Sequence, residues 1–337
     1  MAAPAALIVG LRGPTLTAGE RAFLREAEPW GLILFLRNVV TPEQTARLVA
    51  EARDALGRRA PVLIDQEGGR VDRLGPPHWR PWPPPGDLAA LPDGDAAEAL
   101  ALQYRLIAAD LHALGIDVDC VPLADLVLEG ADRVIGRRAF GPDPARVGRL
   151  ALTVADAVKR GGVLPVVKHL PGHGRAAVDS HVALPRGAVD RATLDATDFA
   201  AFRPLADEAL GMTAHVVYEA IDPERPATLS PAVIEAVRRD IGFDGCLMSD
   251  DISMGALGGP MAGRGRAALA AGCDLVLHCN ADRAEMEALA GAVPRLEGRA
   301  LDRARRAEAA RTAPEPFDAE AGYARWRALA GAADAFV

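Results

Sequence analysis

Residues 163–169 read VLPVVKH, an apolar run that ends on a lysine and a histidine. Polar and apolar residues do not alternate along it, which is typical of a β-strand buried on both faces. Further runs of this kind lie on either side, at 5–11, 31–35, 61–66, 116–125, 211–218, 245–251 and 273–279. The chain is therefore predicted to contain about eight buried, parallel strands.

Helix signals occupy the intervals between these runs. Thr-Pro-Glu at 41–43 begins a helical stretch that extends to Ala55, and Ser230 with Pro231 begins another that extends to Arg239. Regular alternation of strands and helices with about eight strands favours a TIM-type (β/α) barrel of class α/β over a doubly wound sheet. No GxGxxG or GxxxxGK[ST] motif follows any run, so the usual nucleotide-binding folds are excluded.

The chain has 337 residues, about two average domains in length, but barrels exceed that average as one unit. Residues 75–92 contain the stretch PWPPPG and are predicted to form a loop. The strand and helix pattern is the same on both sides of this loop. We therefore predict one catalytic barrel domain over residues 1–337, with a helical tail from Thr312 that contains Trp326 and Phe336 and packs on the outside.

The charge balance restricts the classes of partner. Lys and Arg number 38 and Asp and Glu number 46, which gives a net charge of −8 that repels nucleic acid and anionic membranes. No window approaches the ~18 apolar residues of a membrane span, and the apolar start of the chain contains Pro4 and no basic region. A cytoplasmic protein is expected. The cysteines lack the spacing of a disulfide scaffold or a zinc site and are predicted to be small core residues; they are Cys120, Cys246, Cys273 and Cys279.

Polar residues cluster where three of the apolar runs end. The sequence reads DQEGGRVDR at 65–73, KHLPGHGRAAVDSH at 168–181 and SDDISM at 249–254. The carboxyl ends of the strands of a parallel barrel meet on one face, which is its catalytic face. Buried charges need a partner or a ligand, so a pocket for a polar molecule is expected there.

The pair Asp179 and His181 suggests proton transfer. Two residues apart in an extended chain, they project to the same side, so the carboxylate can fix the tautomer of the imidazole. Imidazole titrates near pH ~6.5 and can give and take a proton at neutral pH. The glycine-rich lead-in at 172–174 indicates a loop that moves over a bound substrate.

Six segments of the chain resemble the family 3 glycoside hydrolases, specifically the single-domain bacterial β-N-acetylglucosaminidases of the NagZ type. They are LILFLRN at 32–38, IDQEGGRVDRL at 64–74, VIGRRAF at 134–140, VVKHLPGHGRAAVDSH at 166–181, MTAHVVY at 212–218 and GFDGCLMSDDISMGAL at 242–257. The resemblance implies that Asp250 is the catalytic nucleophile and that His181, oriented by Asp179, is the acid/base. It also implies sugar-binding residues, which are Asp65, Arg73, Arg138, Lys168 and His169. It implies neither a cofactor nor a metal.

The chain departs from the family pattern at two positions. Arg137 stands where an acidic residue is expected, and Leu170 replaces an aromatic residue; both are expected to alter the pocket wall or the leaving-group side. The second domain of the larger β-glucosidases is missing. Three further residues have no settled role: His215 either lines the pocket or caps the rim, His173 is expected to anchor its loop, and Asn280 either touches the site or caps the rim.

Asp250 and Asp251 follow a buried run, and neighbouring residues of a strand point to opposite sides, so only one faces the barrel mouth. The alternation of Cys246, Met248 and Asp250 favours Asp250. A metal site of His169, His173 and His181, as in barrel amidohydrolases, is not expected, because the HxH pair that ends the first strand of those enzymes is absent.

By resemblance, the expected activity is exo-acting removal of N-acetylglucosamine from N-acetylglucosaminyl-anhydro-N-acetylmuramic acid, with or without peptide, in peptidoglycan recycling. Retaining cleavage needs an attacking carboxylate and a proton donor, roles that suit Asp250 and His181. Three alternatives stay open: a glycoside phosphorylase, a β-glucosidase, and a sugar-binding protein without activity. The sequence does not give the oligomeric state.

Overall fold

The computed structural model describes residues 3–128, 134–175 and 184–331, so Asp179 and His181 lie outside the described residues. Eight parallel strands form a closed barrel, in which the first strand pairs with the last. The strands are β1 (Ala5–Gly10), β2 (Pro29–Leu34), β3 (Val62–Ile64), β4 (Val118–Asp119), β5 (Leu164–Leu170), β6 (Leu210–Thr213), β7 (Cys246–Asp251) and β8 (Leu275–His278). The prediction of a TIM-type barrel is confirmed.

Helices surround the barrel. They are α1 (Ala18–Ala27), α2 (Pro42–Leu56), α3 (Pro85–Ala89), α4 (Asp93–Ala113), α5 (Pro144–Arg160), α6 (Arg191–Ala196), α7 (Asp198–Phe202), α8 (Pro231–Ala236), α9 (Met261–Ala271), α10 (Arg283–Ala290), α11 (Gly298–Ala309) and α12 (Ala319–Ala330). Both predicted helix starts are confirmed, because the side chains of Thr41 and Ser230 each accept a hydrogen bond from the first turn. The helix after Ser230 continues as a π-helical turn over Val237–Ile241.

The strands are apolar on both faces, which explains why their sequences do not alternate. In β1, Ile8 belongs to the cluster inside the barrel, whereas Leu7 and Val9 belong to the larger cluster that joins the strands to the helices. All three side chains are fully buried. The closed barrel thus has an inner and an outer apolar layer, and polar groups are left to the ends of the strands.

Two predictions about local structure were wrong. Residues 75–92 are not entirely loop, because α3 begins at Pro85, where the ring presets a helical φ and the missing N–H is not needed. The run at 211–218 is not one strand. β6 ends at Thr213, and Val217–Tyr218 pairs with Arg186–Gly187 outside the barrel. Val217 also forms an antiparallel bridge with Pro226.

Beyond Thr312 the described chain contains α12, which packs against α4; Phe336 lies outside the described residues. An aromatic cluster attaches it to the proline-rich segment: the ring of Trp82 lies 5.1 Å from that of Trp326 and 6.3 Å from that of Tyr323. No helix in the described ranges is long and apolar enough to cross a membrane.

Candidate active site

A cavity of about 250 Å³ opens at the carboxyl ends of the strands. Asp65 follows β3, Lys168 and His169 belong to the end of β5, and Asp250 belongs to the end of β7. Six of the residues named from the sequence line this cavity; they are Asp65, Arg73, Arg138, Lys168, His169 and Asp250. The structure therefore brings together every predicted site residue that it describes.

The alternation along β7 separates the two adjacent aspartates. Cys246 and Met248 belong to the cluster inside the barrel, and Asp250 lines the cavity. The carboxylate of Asp251 points elsewhere: it accepts hydrogen bonds from the backbone N–H of Ser253 at 3.0 Å and of Cys279 at 3.1 Å. Asp251 thus fixes the loops after β7 and β8, and only Asp250 is presented to a ligand.

Three cations and two carboxylates form a network in the cavity wall. Lys168 Nζ lies 3.0 Å from Asp65 Oδ1 and 2.6 Å from Glu67 Oε1. Arg138 holds Glu67 through two parallel hydrogen bonds of 2.7 and 2.8 Å. Arg73 Nη2 lies 3.3 Å from Asp65 Oδ2. The network leaves a surplus of N–H donors, which suits the hydroxyl and carbonyl oxygens of a sugar.

The electrostatics keep these acids ionised in spite of their burial. Burial opposes ionisation of Asp65, but Lys168 and Arg73 hold its pKa well below the usual range. Burial likewise opposes ionisation of Glu67, but Arg138 and Lys168 lower its pKa to about 2. The pKa of Asp250 is also lowered: the penalty of burial is outweighed by His215 and His169. Asp250 is therefore a carboxylate, the form that a nucleophile requires.

Asp125 holds two histidines of the cavity wall. Its Oδ2 lies 2.7 Å from His169 Nδ1, and its Oδ1 accepts the backbone N–H of His173 at 2.6 Å. Burial and the neighbouring His169 lower the pKa of His173 to about 4, so this imidazole is neutral near pH 7. His173 lines the cavity, whereas the sequence assigned it only an anchoring role.

Sequence reasoning missed two buried acids beside the cavity, Glu67 and Asp125. A signal for each was present, because Glu67 belongs to the polar stretch at 65–73 and Asp125 is the last residue of the run at 116–125. Each follows a buried strand, where a charged residue needs a partner.

The structure places the remaining residues as follows. His215 is fully buried, with Nδ1 2.7 Å from Thr228 Oγ1 and Nε2 3.0 Å from the carbonyl oxygen of Asp251. It therefore connects the segment after β6 to the end of β7 and does not line the cavity. The side-chain amide of Asn280 donates a hydrogen bond to Glu285 at 2.8 Å, so Asn280 caps the rim of the barrel.

Neither departure from the family pattern lies on the cavity. Leu170 is buried in the core, and the exposed side chain of Arg137 pairs with Asp87, so the expectation that they alter the pocket wall is not supported within the described residues. The prediction of core cysteines holds for three of the four, but Cys279 lines the cavity. Among residues 3–128, 134–175 and 184–331, no group of three His, Cys, Asp or Glu side chains is arranged to hold a metal ion.

A family model and a similar curated protein both relate the chain to the glycoside hydrolases. The family model described as glycosyl hydrolase family 3 N terminal domain matches residues 11–310. A β-hexosaminidase of Alkalilimnicola ehrlichii is 45% identical over 284 residues, which cover 81% of this chain and 80% of the relative.

Two solved structures share the fold. NagZ from Neisseria gonorrhoeae, in complex with N-trifluoroacetyl-D-glucosamine, is 32% identical with a TM-score of 0.86, and the match covers 98% of both chains. A family 3 β-N-acetylglucosaminidase from Paenibacillus is 30% identical with a TM-score of 0.85, over 96% of this chain and 66% of that protein. The chain thus spans about two thirds of the Paenibacillus enzyme and nearly all of NagZ.

Proposed function

Since the chain belongs to glycosyl hydrolase family 3 and is a β-N-acetylhexosaminidase of that family, we propose that it cleaves its substrate with retention of configuration, through a covalent glycosyl-enzyme intermediate on Asp250. The observation that carries the proposal is the placement of Asp250. It is the acid of β7 that lines the cavity, and its lowered pKa keeps it ionised.

The described residues of the cavity bind and orient the sugar. Lys168, Arg73 and Arg138 donate to hydroxyl and acetamido oxygens, while Asp65 accepts from hydroxyl groups. Lys168 and Arg73 already hold Asp65, so its carboxylate is fixed before substrate arrives. The anomeric carbon then lies over Asp250, whose carboxylate attacks it as the glycosidic bond breaks.

The leaving oxygen needs a proton, and we assign its delivery to His181, with Asp179 orienting the imidazole. This assignment comes from the sequence, since both residues lie outside the described ranges. In the second step the same imidazole removes a proton from water, which attacks the intermediate and releases Asp250.

We further propose that the substrate is N-acetylglucosaminyl-anhydro-N-acetylmuramic acid, with or without peptide, and that the enzyme removes N-acetylglucosamine from its non-reducing end in the cytoplasm. A cavity of about 250 Å³ is smaller than the ~300–1,000 Å³ of typical ligand pockets, which suits one sugar ring and exo action. The glucosamine derivative bound to the Neisseria NagZ supports an N-acylated sugar.

The test is to trap the intermediate with a 5-fluoro N-acetylglucosaminyl fluoride and to map the labelled peptide. We expect an ester on Asp250. An ester on Asp251, or no covalent adduct while the enzyme turns over substrate, would contradict the proposal. Comparing release from an aryl N-acetylglucosaminide and an aryl glucoside, with and without phosphate, separates hydrolysis of N-acetylglucosaminides from the phosphorylase and β-glucosidase alternatives.

A further inference from the structure

We propose that Asp125 is a positioning residue that fixes the tautomer of His169, so that Nδ1 of the imidazole always carries a proton and Nε2 is the nitrogen left for the substrate. The inference rests on the proposed function in one respect, namely that His169 contacts the bound sugar. Asp125 itself does not line the cavity, so it acts through His169.

The position of Asp125 follows from the pairing of β4 and β5. Beyond the end of β4 the chain continues beside β5: Leu123 forms a parallel bridge with Lys168, and the N–H of Ala124 donates to the carbonyl oxygen of Lys168 at 2.9 Å. Asp125 is the next residue and therefore lies beside His169. Backbone pairing beside β5 thus determines the position of the fully buried Asp125 carboxylate.

The carboxylate of Asp125 acts only as a hydrogen-bond acceptor in its contacts with His169 and His173. It accepts the backbone N–H of His169 at 3.3 Å, the backbone N–H of His173 at 2.6 Å and the ring nitrogen Nδ1 of His169 at 2.7 Å. Burial opposes its ionisation, but the neighbouring His169 and His173 hold its pKa below the usual value. An ionised carboxylate only accepts hydrogen bonds, so the proton between the two side chains belongs to Nδ1.

The fixed tautomer matters because the neutral imidazole has one donor and one acceptor. With the proton on Nδ1, the lone pair of Nε2 accepts a hydrogen bond from a sugar hydroxyl. With the proton on Nε2, the ring can only donate to that hydroxyl, so the direction of the hydrogen bond is reversed. The same carboxylate also holds the backbone of His169 and His173, which limits rotation of the ring. Asp125 thus prepares His169 before the substrate binds.

The informative variant is Asp125→Asn. The amide oxygen replaces Oδ1 as acceptor for the N–H of His173, so the amide nitrogen must face Nδ1 of His169, which then has to become an acceptor. We expect the proton to move to Nε2 and kcat/KM for an aryl N-acetylglucosaminide to fall by about 10- to 100-fold, the range for a lost hydrogen bond to a charged group.

A matched control is Asp274→Asn. Asp274 is also a buried carboxylate, 4% exposed, and is held by Arg238 at 2.8 Å and by the N–H of Leu247 at 2.9 Å. It precedes β8 and so lies at the end of the barrel opposite the cavity. This variant should lose stability and leave kcat/KM within about twofold of wild type.

The decisive readout is the ¹⁵N NMR spectrum of the histidine rings, with the His169 signals assigned by their loss in His169→Gln. In the neutral form of the wild-type imidazole we expect a protonated Nδ1 and a bare Nε2, and in the neutral form of folded Asp125→Asn the reverse. A neutral wild-type imidazole with its proton on Nε2 overturns the proposal even if the variant fails to fold. So does an unchanged kcat/KM in folded Asp125→Asn.

The NMR measurement needs no turnover, so it is independent of the proposed function. If the wild type carries the expected tautomer but does not hydrolyse N-acetylglucosaminides, the proposed function fails and the link between Asp125 and His169 stands. If the enzyme is active and the tautomer is wrong, only the role of Asp125 is refuted.

Discussion

Asp119 is a buried acid of the barrel whose pKa is shifted in the opposite direction from those of its neighbours Asp65 and Glu67. Burial, together with the negative charges of Asp65 and Glu67, raises its pKa well above the usual value, against the opposing effects of a hydrogen bond from the N–H of Gln66 and the charge of Lys168. Its Oδ1 accepts that N–H at 2.9 Å. The folded protein therefore favours the protonated, neutral form of Asp119 over a wider range of pH than an exposed aspartate would show.

We expect Asp119→Asn to stabilise the protein at neutral and alkaline pH. The stability that a raised pKa contributes is fully present below the unfolded value of ~3.9 and is lost as the pH rises toward the folded pKa. An amide pays no such cost and still accepts from Gln66. Urea unfolding at pH 4 and pH 8 should show an advantage of the variant that grows with pH. A deficit that grows with pH would mean that the acid is ionised beside Lys168.

The role assigned to His181 predicts a dependence on the leaving group. His181→Ala should greatly lower the rate for substrates with poor leaving groups and affect activated aryl glycosides much less, because only the former need a proton in the transition state. Asp179→Asn should act on the same step with a milder loss. Equal losses on both classes of substrate would remove His181 from this role, and additive losses in the double variant would separate the two residues.

The connection between β3 and α4 forms part of the pocket wall and positions Arg73. Its first part is a tight turn in which the N–H of Glu67 donates to the carbonyl oxygen of Val71 at 3.0 Å, and Val71 lines the cavity. Its second part, the proline-rich segment, lies against this turn: a Cβ on Gly69 would approach Pro84 Cγ to 2.6 Å. The prolines thus hold the turn that presents Arg73 to the pocket.

Gly69→Ala should therefore damage both stability and binding. The backbone of Gly69 has a φ of +65°, and the added methyl group would displace Pro84, so we expect a loss of about 1–3 kcal/mol. The KM should rise because Arg73 moves with the turn. The matched control is Gly75→Ala, where a Cβ would meet nothing within 4 Å. Equal KM values for the two variants would show that the turn does not depend on the prolines.

The sequence was sufficient for elements whose signals are local. Eight apolar runs predicted the barrel strands, and the side chains of Thr41 and Ser230 marked helix starts, because a strand buried on both faces and a capped helix each leave a pattern in a few adjacent residues. The partners of Glu67 and Asp125 were not predicted, since they lie far away in sequence: Arg138 is 71 residues from Glu67, and His169 is 44 residues from Asp125. The short helix α3 was not predicted, because the prolines of residues 75–92 indicate a loop.

At the scale of the whole molecule, the ionised acids at one end of the barrel predict sensitivity to acid. Asp65, Glu67, Asp125 and Asp250 all have lowered pKa values in spite of burial. A lowered pKa contributes stability that is present above the unfolded value of ~4 and is lost as the pH falls through the folded value. For Glu67 that folded value is about 2.

The free energy of unfolding should accordingly fall steeply between about pH 4 and pH 2. Urea unfolding followed by circular dichroism at half-unit steps of pH measures it. The raised pKa of Asp119 does not oppose the loss below about pH 3, because that acid is then protonated in both the folded and the unfolded chain. A free energy that stays level down to pH 2 would mean that folding does not lower the pKa values of these four acids.

The pairing of β1 with β8 has a consequence for synthesis of the protein on the ribosome. Ile8 lies beside Leu277, so a contact that closes the barrel joins residues that are translated at opposite ends of the message. Until β8 has left the exit tunnel, β1 has an open edge and the inner layer of the barrel is accessible to water and to other nascent chains. Chaperones that cover apolar strand edges should therefore associate with the growing chain until β8 emerges, and release it when the barrel closes.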